Sequence, residues 1–160
     1  MKIRILGCGG SYGSPLAWQR NGKIDIKNKR NFRTRSSVLI EINNTNLLID
    51  TSPDLRFQLY NAKCTNIEAV LYTHIHSDHT SGLPDMRAIS LINDKIIPAY
   101  MPIEMKDKIL SHFKYIFEGD KEYSPFMKLN ILKDEFQINN IHIETFKHNH
   151  GSIDVQTYRI

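Results

Sequence analysis

Thr73-His74-Ile75-His76-Ser77-Asp78-His79 puts three of the chain's seven histidines and a carboxylate into one heptapeptide. Imidazole nitrogens with a carboxylate oxygen are a ligand set for a borderline divalent cation: zinc, with manganese or iron as alternatives. The run before it, Ile67 to Tyr72, is apolar and β-rich and reads as a strand. At strand spacing His74 and His76 point to the same side and can share one ion. Asp78 and His79 follow as the chain turns, and can face a neighbouring ion. Gly82 and Pro84 then introduce a helix to about Asn93, with Leu83, Met86 and Ile89 on one stripe.

The elements that must carry this cluster are legible in outline. Lys2 to Cys8 alternates as a strand and runs into Gly7-Cys8-Gly9-Gly10-Ser11-Tyr12-Gly13. A dinucleotide fingerprint would need glycine at position 12 and a helix straight after, but Tyr12 and Pro15 stand there. Ser36 to Ile42 and Asn46 to Asp50 form a hairpin around Asn43-Asn44-Thr45. Ser52-Pro53-Asp54 is an N-cap with proline at the first helical position, ahead of Leu55, Leu59 and Ala62 on one face. Ile96 to Tyr100 is a strand. Ile103 to Phe117 is an amphipathic helix with Met105, Ile109, Phe113 and Ile116 inward. Leu129 to Leu132, Phe136 to Phe146 with a turn at Asn139-Asn140, and Val155 to Ile160 are strands. Strands alternating with helices mean an α/β fold. No linker divides residues 1–160, so a single domain is expected.

Composition excludes several classes. With 160 residues, 41% hydrophobic and 24% charged, the chain is ordinary for a globular domain with a core. No apolar run approaches a membrane span. The formal charge of +4 is local: Arg20, Lys23, Lys27, Lys29, Arg30, Arg33 and Arg35 stand against Asp25 alone, so this loop carries +6 and the remainder −2. Such a loop suits phosphate or nucleic acid, and a solvated lysine-rich loop is the equal alternative. Two cysteines, Cys8 and Cys64, make no disulfide framework and read as reduced thiols. The amino terminus lacks the apolar stretch of a signal peptide. The expected location is cytoplasmic.

The H-x-H-x-D-H pattern resembles the metal-binding motif of the metallo-β-lactamase fold superfamily. The Gly7 to Gly13 loop, Arg33 to Ser37, Leu47 to Arg56 and Tyr72 to Arg87 resemble its phosphodiesterase branch. Cyclic phosphodiesterases of the phosphonate-pathway type belong to that branch, and ribonuclease Z is a more distant cousin. The resemblance implies an αββα sandwich, of which this chain would be the N-terminal portion. It implies that His74, His76 and His150 hold a first metal, and Asp78 and His79 a second. Asp78 is also the candidate catalytic residue. Asp50 resembles a buried acid that orients an imidazole. Arg35, Ser36 and Ser37 are candidate substrate contacts, or simply a loop-to-strand junction. His148 shares the strand parity of His150 and is its rival. His142 reads as a strand residue, His112 as solvated, and Asp54 and Asp85 as helix-start acids.

Two departures from that pattern matter. No cysteine stands between Trp18 and Arg35, so no structural zinc is expected there. A later aspartate and histidine of the second metal position have no counterpart after His150, because Asp154 comes too soon. The expectation is one complete metal position and one incomplete. In such relatives the metal supplies hydroxide by acidifying water. A phosphodiesterase is therefore the first functional reading. A remnant that keeps one metal and a nucleic-acid-binding module using the loop 20–35 are the alternatives. Lacking the second layer pair, an apolar sheet face is expected to drive self-association or pairing with a separately encoded second half.

Overall fold

The structure, a computed structural model, describes residues 1–19 and 24–160. Arg20 and Lys23 of the basic loop lie outside the described residues.

Two sheets organise the chain. The first contains β1 (Lys2–Gly7), β2 (Ser37–Ile42), β3 (Thr45–Ile49), β4 (Ala69–Leu71), β5 (Ile97–Met101) and β6 (Met127–Ile131), in that spatial order. Strands β1, β2 and β3 pair antiparallel, and β3 through β6 pair parallel. The second sheet contains β7 (Glu135–Ile138), β8 (Ile141–His150) and β9 (Ile153–Arg159), all antiparallel. Among the described residues there are four α-helices: α1 (Leu55–Ala62), α2 (Ser77–Thr80), α3 (Met86–Asn93) and α4 (Ile103–Glu118).

Period-two patterning splits the core in two. Leu48 of β3 and Val70 of β4 face the helices, packing with Leu55, Leu59, Met86, Met105, Ile109 and Ile116. Their neighbours Leu47, Ala69 and Leu71 face the second sheet and pack with Ile138, Ile141 and Ile143. The layers run helices, sheet, sheet, so the described residues make three layers of the four-layer sandwich.

Several elements differ from expectation in instructive ways. The β2–β3 turn is as read: Asn43 and Asn44 have φ of 46° and 65°, the left-handed pair that a two-residue hairpin needs. Helix α1 starts later than Ser52 and Pro53 suggest, with Asp54 as its N-cap residue. The Ser52 hydroxyl accepts the Asp54 N–H at 3.2 Å and donates to the buried Gln58 side chain at 2.8 Å. Strand β8 runs on to His150, and β9 and β6 both begin two residues early. Helix α4 has a non-helical Phe113 within it (φ −126°).

The outer face of the second sheet also corrects an expectation. Residues alternating with buried Ile141 and Ile143 are His142, Glu144 and Phe146. Arg159 of β9 pairs with Glu144, and its guanidinium also lies 5.4 Å from the centroid of the Phe146 ring. His142 stands 3.5 Å from Glu144. This face is mainly polar, with the half-exposed Phe146 among charged groups. Among the described residues no helix is long and apolar enough to cross a membrane.

Candidate metal centre

Topology gathers the chemistry at one sheet edge. Because β1 and β3 both run opposite to β2, the end of β1, the start of β2 and the end of β3 lie together. Because β4 and β5 run parallel to β3, their ends lie there as well. The Gly-rich loop, Ser37, Asp50, the histidine motif and the start of α4 therefore share one edge.

Asp50 is the hub. It is 3% exposed and has φ of 59°. Its Oδ1 accepts the Thr73 backbone N–H at 2.8 Å, and its Oδ2 accepts the Thr73 hydroxyl at 2.7 Å. The same Oδ2 meets His79 Nδ1 at 2.7 Å. The loop after β3 is also tied to the motif by backbone: Thr51 N–H donates to the His79 carbonyl, and Gly82 N–H to the Thr51 carbonyl. The second sheet is attached at the same point. The Tyr158 hydroxyl donates to the Tyr72 carbonyl, and Gln156 N–H donates to the Thr73 carbonyl.

On this frame the side chains converge. His74, His76 and His150 each offer a ligand atom, all within 4.8 Å of one another. His74 Nε2 and His76 Nδ1 are 3.0 Å apart. His74 is buried, while His76 and His150 face solvent, which leaves an approach for water. Burial, aided by His79, holds the His74 imidazole down to a pKa of about 4, although Asp50 pulls the other way. It is therefore neutral near pH 7, the form that binds metal. His79 lies beside it, ring centroids 4.1 Å apart, and its Nε2 is 3.4 Å from Asp78 Oδ2. Burial opposes charge on His79, but the hydrogen bond and charge of Asp50, with the charge of Asp78, raise its pKa overall.

The other expected residues sort as follows. His150 rather than His148 enters the cluster, because the β8–β9 hairpin brings its tip over His74 and His76. His148 is exposed. Arg35 is held by Asp54, whose Oδ2 meets both its backbone N–H and its Nε at 2.9 Å. Asp54 thus braces the loop as well as preceding a helix. Ser36 is directed to the Gly9 carbonyl. Ser37 is buried, and its hydroxyl faces the carbonyls of Ile49 and Asp50. Cys8 and Cys64 are both free.

Two features escaped the sequence reading. Thr73 joins Asp50 to His74, a role whose only sequence signal is a hydroxyl abutting the first histidine. A cleft of about 290 Å³ opens beside His74, with Ile75, Pro102, Met105 and Ile153 among its walls. Lys147, also lining it, is paired with Glu104 at 2.7 Å.

The family model described as the Beta-lactamase superfamily domain matches residues 45–160, which include all five candidate ligands. The chain belongs to that superfamily. The superfamily chain is 31% identical, over its whole length, to 33% of a protein named octanoyltransferase from Porphyromonas gingivalis. It is 27% identical over 131 residues to a ribonuclease Z from Methanopyrus kandleri, covering 80% of this chain and 44% of that protein. Its fold is similar to the crystal structure of a diphosphatase from the PhnP family, with a TM-score of 0.84 and 26% identity, over 98% of this chain and 60% of that one. It thus spans between a third and three fifths of the lengths of these proteins.

Proposed function

We propose that this chain is a single domain that holds a divalent metal ion, zinc with manganese or iron as alternatives, and serves a phosphodiester hydrolase. The convergence of three imidazoles, two from the segment after β4 and one from the end of β8, carries the reading. Three nitrogen donors with one open side suit a catalytic ion better than a closed structural one. The first position is complete in His74, His76 and His150. The second has Asp78 and His79 and is incomplete. When bound, the ion supplies an acidified water and positive charge for a phosphoryl oxygen.

The protein groups have separate tasks. His74 stays neutral and ready to bind. Asp78, the candidate catalytic residue, would take a proton from the attacking water. Water oxygen bonds to phosphorus, the bond to the leaving alcohol breaks, and the alcohol takes up a proton from solvent. Arg35, held by Asp54, and Ser36 are proposed phosphate contacts. Ser37 serves more through the backbone it steadies beneath Asp50. Exposed Tyr12 and Trp18, their rings 6.1 Å apart, flank Ser14, which pairs with Arg33 at the end of a loop where Lys27, Lys29, Arg30 and Arg33 are exposed. That surface favours a nucleic acid as the phosphodiester, because bases stack and phosphates pair with cations. The reading includes a cytoplasmic location with reduced thiols. It also includes self-association or a separately encoded second half that completes the other metal position.

Metal analysis and turnover test this together. The purified chain is expected to hold about one zinc and to release p-nitrophenolate from bis(p-nitrophenyl) phosphate. His76→Ala should lower that rate at least ~10-fold, since ligand-shell losses are typically of that order or larger. Unchanged turnover in His76→Ala would remove the cluster from the reaction.

The cleft beside His74 yields a second expected result. If it seats one ester group, Ile153→Trp should raise KM for the bis-aryl ester about tenfold, the cost of losing roughly 1.4 kcal/mol of binding. Methyl p-nitrophenyl phosphate, whose small group does not need the cleft, should be affected less than about twofold. Equal effects on both esters would refute the assignment.

A further inference from the structure

Counting protons around Asp50 forces a direction on every hydrogen bond there. An ionised carboxylate only accepts, so the Thr73 hydroxyl spends its single hydrogen on Asp50 Oδ2 at 2.7 Å. That hydroxyl also lies 2.9 Å from His74 Nδ1. With its hydrogen committed, the oxygen can only accept there, so His74 Nδ1 carries the proton. His74 Nε2 is then the bare nitrogen, and it is this atom that faces His76 at 3.0 Å. On the other side Asp50 Oδ2 takes a hydrogen from His79 Nδ1, leaving His79 Nε2 toward Asp78.

We propose that Thr73 is a positioning residue that relays Asp50 to His74, fixing the Nδ1–H tautomer and aiming Nε2 at the metal position. One carboxylate then sets the donor atoms of both positions: directly through His79, and through a hydroxyl for His74. The inference rests on the metal reading only for its consequence. The tautomer itself is a property of the metal-free protein.

The geometry also explains why a hydroxyl serves here rather than a second carboxylate. Asp50 Oδ1 already holds the Thr73 backbone N–H, and Oδ2 faces His79. Thr73 extends the reach of the same carboxylate by one hydrogen bond without adding a charge next to a neutral imidazole. Because the backbone bond to Oδ1 persists whatever side chain stands at 73, Thr73→Val removes the relay while leaving Asp50 anchored. Thr73→Ser keeps the hydroxyl.

Long-range ¹H–¹⁵N correlation of His74 in the metal-free protein reads the tautomer directly, and competition with a chromogenic chelator reads zinc affinity. The wild type and Thr73→Ser are expected to show His74 protonated at Nδ1. Thr73→Val should shift it to a mixture or to Nε2–H, and weaken zinc about 10–100-fold, the usual cost of losing a partner that orients a ligand. Thr73→Ser should stay within about threefold of wild type. An unchanged tautomer in Thr73→Val overturns the proposal, even if affinity falls. So does a serine variant that behaves like valine. If the wild type binds no zinc, the metal reading fails, while the tautomer comparison still decides the relay.

Discussion

Asp50→Ala should cost the metal-free fold about 3–5 kcal/mol, the range for breaking a buried charged pair by removing one partner. Three donors lose their acceptor at once: the Thr73 N–H, the Thr73 hydroxyl and the His79 ring. A buried donor left unpaired costs about 1–3 kcal/mol. The total is held below three full penalties because the hydroxyl can rotate and His79 retains some solvent contact. The backbone adds to the loss. With φ of 59°, residue 50 occupies a left-handed conformation that aspartate and asparagine tolerate better than alanine does. Asp50→Asn should therefore recover part of the stability, keeping one carbonyl oxygen and the favoured backbone. It should not recover zinc binding, because an amide NH₂ would face donors on one side. Urea unfolding of the three proteins in chelator checks the first statement, and a loss under ~1 kcal/mol for Asp50→Ala would contradict it. Zinc competition checks the second.

Gly82→Ala should rank with it, for a steric reason. Gly82 is buried, and a Cβ there would lie 2.1 Å from the Ser52 carbonyl oxygen and 2.9 Å from Leu55 Cβ. Its φ of −86° suits any residue, so space alone is at issue. The neighbour is backbone and cannot swing aside. To fit a methyl group, the loop after β3 must separate from the segment after α2, and those two are stitched by Thr51 to His79 and by Gly82 to Thr51. Overpacking of this kind costs about 3 kcal/mol. For a chain of this size that lowers Tm by roughly 6–12 °C. Separation of the loops also moves His79 off Asp50, so zinc binding should fall in the surviving folded protein. Gly10→Ala is the control. Nothing stands within 4 Å of a Cβ there, and Tm should hold within roughly 2 °C.

Much of this arrangement was legible in the chain, and what was not has common physical causes. Local chemistry reads well where one short segment decides: Asn43-Asn44 fixes a hairpin by backbone preference, whereas β4 stops at Leu71 and His74 and His76 stand on the irregular segment after it, not on the strand that alternation implied. Contacts between distant segments read poorly. Spacing could not separate His150 from His148, because both sit on one side of β8. What separates them is where the hairpin tip lies against the first sheet. Gln58 carries no signal in the sequence, yet it is buried and reaches Ser52, the Thr34 hydroxyl and the Arg35 carbonyl. Ser52 looked like a helix cap because its type and position fit. Its oxygen does accept the Asp54 N–H, while the donation of its hydrogen to Gln58 is visible only after folding. The expectation of a bare apolar face failed for a similar reason: strand alternation puts the isoleucines of β8 inward and its charges outward.

The origin of the three imidazoles has one more consequence. His74 and His76 stand on the segment that leaves β4 of the first sheet, and His150 at the end of β8 in the second. An ion bound by all three would act as a clasp across the sandwich, closing the long loop between residues 76 and 150. Closing such a loop in advance removes chain entropy from the unfolded ensemble. A hairpin that peels away carries its histidine with it and leaves two ligands behind. Occupancy of the centre would then double as a proofreading signal, strong only in molecules whose two sheets have docked in register.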